Sequence, residues 1–289
     1  MTLGLGRAAL VRIPTDDAFA LRPAALEEAI AVDRAAGARP IAIVATVGTT
    51  SSTAIDPVAA VAAIAEREGL WLHVDSAYAG AVAIDPGLRG PFAGWERADS
   101  IVVNPHKWLW TPVDASLLLS RRLEVVRDAF SLVPEYLRTV GGAGSERNYN
   151  EYTPQLGRRM RALKLWFQLR WFGLDGLRRR IRHHIELAMT FAAWIDAAPD
   201  WERLAPVPFS TVCFRHVPPR LADDGAALDA HNAAVMDAVN RTGDAFLSHT
   251  KLRDRFTIRL AIGSLRTEER HVERVWELLQ AAAEEVDHR

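Results

Sequence analysis

Three short apolar runs, "PIAIVAT" (40–46), "LWLHVD" (70–75) and "SIVVN" (100–104), constrain the fold of this chain more than any other feature. Each is the length of a buried strand and too short for a helix or a membrane span. The first two are separated by "DPVAAVAAIAEREG" (56–69), which has a helical apolar period and ends on a glycine suited to a C-cap. "RPAALEEAIAVDRAAG" (22–37) carries the same signature, with Pro23 in its first turn and Gly37 past its end. Strands alternating with helices at this spacing predict an α/β fold with a mainly parallel sheet covered on both faces. "AALVRIP" (8–14) reads as a further short strand, and "ASLLLS" (115–120) completes the pattern.

Beyond Ser120 the texture changes. "EYLRTVGGAGSERNYNEYTPQ" (135–155) is polar and glycine-containing, so a mobile loop is expected over about 132–153. "RRMRALKLWFQLRWFG" (158–173) predicts a long amphipathic helix, and another helix is expected through Ile185 to Trp194. Residues 196–289 read as a small α+β domain with strands in "STVCFRHV" and "FTIRLAIG". Its final helix is expected from 268, with Thr267 as N-cap. The expected domains are therefore 1–195 and 196–289.

Composition narrows the partners. A net charge of −1 gives no sign of a nucleic-acid or membrane-surface partner. A single cysteine, Cys213, excludes an internal disulfide framework and makes a reducing cytoplasm the default expectation. No group of histidines and cysteines has zinc-like spacing, so no metal is expected.

In open α/β sheets ligands bind at the carboxyl ends of the strands. The three runs lead there to Thr49 and Thr50, to Asp75, and to His106 and Lys107. Lysine is scarce: Lys107, Lys164 and Lys251 stand among 35 basic residues. Where arginine serves almost everywhere as the cation, a lysine in an aromatic, apolar setting suggests a required primary amine, which can form an imine with an aldehyde. Asp75 and Ala77 are two apart, so in extended geometry a carboxylate and a methyl face one way. Together these meet the needs of pyridoxal phosphate, whose aldehyde takes a lysine and whose ring nitrogen takes an acid.

"HVDSAYAG" (73–80) followed by "ADSIVVNPHKWL" (98–109) closely resembles the pyridoxal-phosphate-dependent group II decarboxylases, in particular the aromatic-L-amino-acid decarboxylases. "IPTDDAFALRP", "VATVGTTSSTAIDP", "PQLGRRMRALKLWF" and "LRDRFTIRLAIG" look like family segments in family order, so the resemblance covers almost the whole chain. It implies a fold-type I enzyme with pyridoxal 5'-phosphate as cofactor, an amino-acid substrate, and a homodimer. It also implies that Lys107 is the Schiff-base lysine and Asp75 the partner of the ring nitrogen. Ala77 would pack on the ring, and Thr50 would hydrogen-bond close to the cofactor or the substrate carboxylate. Asn104 and His106 would help to hold the phosphate and the link to Lys107. Tyr136 stands where the family's catalytic-loop tyrosine is expected, returning a proton to carbon after decarboxylation. Relatives with phenylalanine there tend to release an aldehyde instead. The resemblance further implies that family members carry a long segment ahead of the part matched by residue 1. The chain is thus expected to be the C-terminal part of such an enzyme, with an incomplete large domain and an uncovered sheet face. Two alternatives remain open: a catalytically incompetent assembly partner, and an aldehyde-forming relative.

Overall fold

The computed structural model describes residues 4–131 and 148–288. Two sheets organise it. The first is four-stranded, in the order β1 (Ala42–Thr46), β2 (Trp71–Asp75), β3 (Ser100–Val103) and β4 (Leu117–Ser120). β1, β2 and β3 run parallel and β4 runs antiparallel to β3, so the mainly parallel α/β expectation holds. Helix α1 (Pro23–Ala35) has Pro23 in its first turn, where the missing N–H costs nothing. Helix α2 (Val58–Glu68) stops at Gly69, whose φ of 64° is the left-handed conformation a C-cap requires. Ile43, Ala45, Leu72 and Val74 from one face of the sheet share a buried cluster with Val58, Val61, Ala62 and Ala65 of α2. Each large side chain buried this way contributes about 1.5–3 kcal/mol.

The opposite face departs from the two-sided covering that the apolar runs predict. β1 alternates exposed and buried residues, and Val44 keeps 55% of its surface in contact with solvent. Leu118 of β4, in register with Val102, Asp75 and Thr46, is exposed on this face as well. The apolar runs are continuous, yet among the described residues no element covers this side. Residues 8–14 form no strand either: Leu10 and Val11 are exposed, and the nearest pairing is an isolated bridge between Thr15 and Leu21. An extended run needs a neighbour for its backbone groups, and among the described residues this one has only the Leu10 amide on the Arg7 carbonyl and the Pro14 carbonyl on the Arg22 amide.

After β4 comes helix α4 (Leu123–Phe130), followed past the undescribed stretch by α5 (Arg161–Ala197). The two helices expected between 158 and 194 are one run broken at Gly173, whose φ of 64° and ψ of 167° leave the helical region. The second sheet is antiparallel, in the order β5 (Trp201–Arg203), β6 (Thr211–His216), β8 (Arg255–Ala261) and β7 (Ser248–Leu252). It packs with α6 (Gly225–Thr242) and α7 (Glu269–Asp287) around a second core. α5 serves both cores: Leu177 and Ile181 belong to the first, Leu187 through Ile195 to the second. The expected boundary after residue 195 thus falls in the last turn of α5. The N-cap of α7 is Glu268 rather than Thr267, because Glu268 and His271 form a reciprocal capping box.

Candidate active site

The register of the first sheet places Asp75, the last residue of β2, between Thr46 of β1 and Val102 of β3. Its Oδ1 accepts the Ala77 amide at 3.0 Å, so the carboxylate and the methyl are held in one turn, and Oδ2 has no hydrogen bond among the described residues. The Asn104 amide donates to the Ala77 carbonyl at 2.9 Å, which ties the end of β3 to that turn. The close approach depends on Gly80, where an added Cβ would meet Val103 Cγ2 at 2.6 Å.

Lys107 lies on α3 (Pro105–Trp108), a single turn that starts directly after Asn104, and its own amide donates to the Asn104 carbonyl at 2.9 Å. Its side chain is exposed, and its ammonium has no ion-pair partner among the described residues. The next residue is the anchor. Trp108 is fully buried, stacks on Tyr78 with ring centres 4.7 Å apart, and donates its indole N–H to His184 Nδ1 at 3.0 Å. Tyr78 is fixed in turn through its hydroxyl to Ser210 Oγ, and Ser210 donates to the Ile262 carbonyl. Burial lowers the pKa of His184 to about 4, which keeps it neutral and able to accept the indole proton. Trp110 donates to the Gly263 carbonyl at 2.8 Å. Trp108 and Trp110 stand close to the lysine in the chain, whereas Tyr78, Ser210 and His184 lie well away from it.

His106 is oriented by Ala115, whose carbonyl oxygen and amide nitrogen lie 2.5 and 3.1 Å from Nδ1, and Nε2 has no partner among the described residues. Asn104 Oδ1 accepts from Ser116 Oγ at 2.6 Å, which directs the amide and leaves its N–H groups available. Thr50 is exposed in the loop after β1, and its carbonyl accepts from Arg259 of β8 at 2.7 Å. Arg259 was not among the residues singled out from sequence. The fold therefore sets Thr50, Asp75, Ala77, Asn104, His106 and Lys107 at the ends of three adjacent strands. Tyr136 lies outside the described residues. Tyr149, the neighbour most easily confused with it, is 70% exposed in a short turn at 149–152.

His73 and Arg159 have structural partners. His73 Nδ1 lies 2.8 Å from Ser100 Oγ. Arg159 precedes the first turn of α5 and pairs with Asp114 at 3.0 Å. Arg161 pairs with the same carboxylate and holds it well below the usual range. One arrangement was hidden by sequence spacing: His216, His231 and Asp287 come together. His216 Nδ1 and His231 Nε2 lie 2.8 Å apart, Asp200 contacts His216 Nε2 at 2.9 Å, and Arg220 contacts Asp287 at 2.7 Å. These groups satisfy one another.

The open valences of the strand-end set are a primary amine, a carboxylate oxygen, an imidazole nitrogen, an amide and a hydroxyl. This donor set fits pyridoxal phosphate, which takes the amine at its aldehyde and the carboxylate at its ring nitrogen.

The chain is similar to many known proteins. The chain is 42% identical over 282 residues to phenylacetaldehyde synthase of Arabidopsis thaliana, an alignment that covers 96% of this chain and 57% of the synthase. It is 42% identical over 270 residues to tryptophan decarboxylase 2 of Oryza sativa subsp. japonica, with 93% and 54% covered. A crystal structure of Oryza sativa TDC with PLP and tryptamine superposes with a TM-score of 0.94 at 38% identity, over 98% of this chain and 59% of that one. The chain thus spans about half the length of the curated relatives it matches. Residues 3–217 match the pyridoxal-dependent decarboxylase conserved domain, and the chain belongs to that family.

Proposed function

We propose that this chain carries the lysine-bearing part of a catalytic centre that decarboxylates an aromatic L-amino acid to its amine. The observation that supports this reading best is the exposed Lys107, without an ion-pair partner among the described residues, with Asp75, Asn104 and His106 at adjacent strand ends. When bound, pyridoxal phosphate supplies an aldehyde and an electron-accepting ring. Lys107 would hold the cofactor covalently through its primary amine. Asp75 holds a proton on the ring nitrogen, and Ala77 packs beside it. His106, Asn104 and Thr50 orient the phosphate and the substrate carboxylate through the valences they keep free. Tyr136 gives its hydroxyl proton to the α-carbon once carbon dioxide has left, so one proton is consumed and amine and carbon dioxide are the products. The proposed working form is a cytoplasmic homodimer, and the exposed aromatic residues at the start of α5 support an intersubunit contact.

A second reading, oxidative release of an aldehyde, is favoured by the likeness to the Arabidopsis thaliana phenylacetaldehyde synthase. It would consume oxygen and water and yield aldehyde, carbon dioxide, ammonia and hydrogen peroxide. Incubation of the cofactor-loaded enzyme with L-tryptophan, L-tyrosine and L-phenylalanine separates the two. We expect amine equal to the carbon dioxide released and no peroxide; stoichiometric peroxide would replace the first reading with the second. An assembly partner without catalysis would leave the absorbance of added pyridoxal phosphate as that of the free aldehyde and would release no carbon dioxide.

A further inference from the structure

The loop from β1 to α2 carries Thr50, and the outer side of that loop is held by the second sheet. Within the loop, the Thr49 carbonyl accepts from the Thr53 amide and Thr49 Oγ1 accepts from the Ala54 amide, both at 2.9 Å. On its outer side, Arg259 donates from Nη2 to the Thr50 carbonyl at 2.7 Å, from Nε to the Ser51 carbonyl at 2.8 Å, and from Nη1 to Ser248 Oγ at 3.0 Å. Cys213 Sγ approaches the Ser51 carbonyl at 3.3 Å, and Ser51 Oγ lies 2.9 Å from Thr250 Oγ1. Cys213, Arg259 and Ser248 form one cross-strand row over β6, β8 and β7, so a single face of the second sheet grips two successive carbonyls. On the inner side, a Cβ at Gly48 would meet Ala79 Cβ at 2.6 Å, which stops the loop from moving toward the turn after β2. Thr50 Oγ1 itself bonds to nothing among the described residues, so Thr50 is restrained through its backbone and its hydroxyl stays available.

We propose that Arg259 is a positioning residue for the catalytic centre: it fixes the backbone of Thr50 so that the Thr50 hydroxyl meets the bound cofactor, while its own guanidinium touches neither cofactor nor substrate. This rests on the role given to Thr50 above. A planar guanidinium can span two adjacent carbonyls with a third donor left for Ser248, whereas a lysine ammonium in the same place cannot hold that fork. The second sheet thereby controls the affinity of a crevice formed by the first.

The test is a double-mutant cycle on the dissociation constant for pyridoxal phosphate, read by visible absorbance on titrating the apoenzyme of the enzyme that contains this chain. Thr50→Val and Arg259→Met are each expected to raise that constant about tenfold, and the double variant no more than either alone, because both act through one hydroxyl. Arg259→Lys, which keeps charge and stem, should match Arg259→Met while circular dichroism stays unchanged. Amide exchange at residues 50–53 should quicken in both Arg259 variants. A double variant weakened about a hundredfold, or an Arg259→Met enzyme with unaltered affinity, overturns the proposal. Thr50→Val with unaltered affinity overturns it at its base, whatever Arg259 does. Lys107→Ala serves as the separate control on the reading itself, since that variant must lose borohydride-stable cofactor irrespective of the loop.

Discussion

Trp108 is the residue through which the lysine turn is tied to the rest of the molecule. It stacks on Tyr78, and its bond to His184 needs a neutral imidazole, which burial provides by lowering the His184 pKa to about 4. The unfolded chain binds that proton near pH 6.5, so it holds more protons than the folded one between those values. Stability is therefore fully present above about pH 6.5 and falls as the pH is lowered toward 4. Urea melts across that range should show the decline in the wild type and a flatter profile in His184→Gln. A second outcome belongs to Tyr136, which lies beyond the described residues. Tyr136→Phe should leave the cofactor spectrum unchanged and lower amine formation by about 10²–10⁴-fold, with aldehyde and peroxide in its place. An unchanged amine yield would assign the proton transfer to another group. At this scale the sequence exposes only groups whose partners are close in the chain. Asp75, Ala77, Asn104, His106 and Lys107 are legible because two short segments hold them all. Arg259 is not, because its carbonyl partners lie 208 and 209 positions away. The one available signal is a cation in the middle of the apolar "FTIRLAIG", a position that asks what polar group it satisfies.

Elements whose pattern comes from burial were legible, and those defined by pairing were not. β1, β2 and β3 announce themselves as apolar runs, and α2 as a helix closed by Gly69. β7 reads "SHTKL", a polar string that becomes a strand only because β8 offers it a ladder. Residues 8–14 are the converse, an apolar string left without a ladder. The loop after β1 makes a prediction of its own. Gly48 has a φ of 85°, and an added Cβ there would sit 2.6 Å from Ala79 Cβ. Gly48→Ala should cost about 1–3 kcal/mol in unfolding free energy, from backbone strain and overpacking together. A melting temperature equal to that of the wild type would show that the loop can relax outward past Arg259.

Over the whole molecule, the notable property is apolar surface without cover. Trp166, Phe167 and Trp171 at the start of α5 are 52%, 56% and 83% exposed, and they line a cavity of about 670 Å³ with Pro112 and Lys164. The open face of the first sheet adds Val44 and Leu118. Clusters of this kind mark surfaces that another polypeptide covers. Purified residues 1–289 should therefore self-associate or bind a hydrophobic dye, and Trp171→Lys with Trp166→Glu should raise the monomer fraction in sedimentation; a monodisperse wild-type monomer that binds no dye would contradict this. The same arrangement explains why pattern alone misjudged the sheet: an apolar run signals burial without saying which chain supplies the cover. The central claim, that the amine at the end of β3 holds the cofactor, has the most direct test. The cofactor-loaded enzyme is reduced with borohydride, digested, and the peptides are sequenced by mass spectrometry. The account predicts the reduced pyridoxyl group on Lys107 and its loss in Lys107→Ala; the group on Lys164 or Lys251 instead would contradict it.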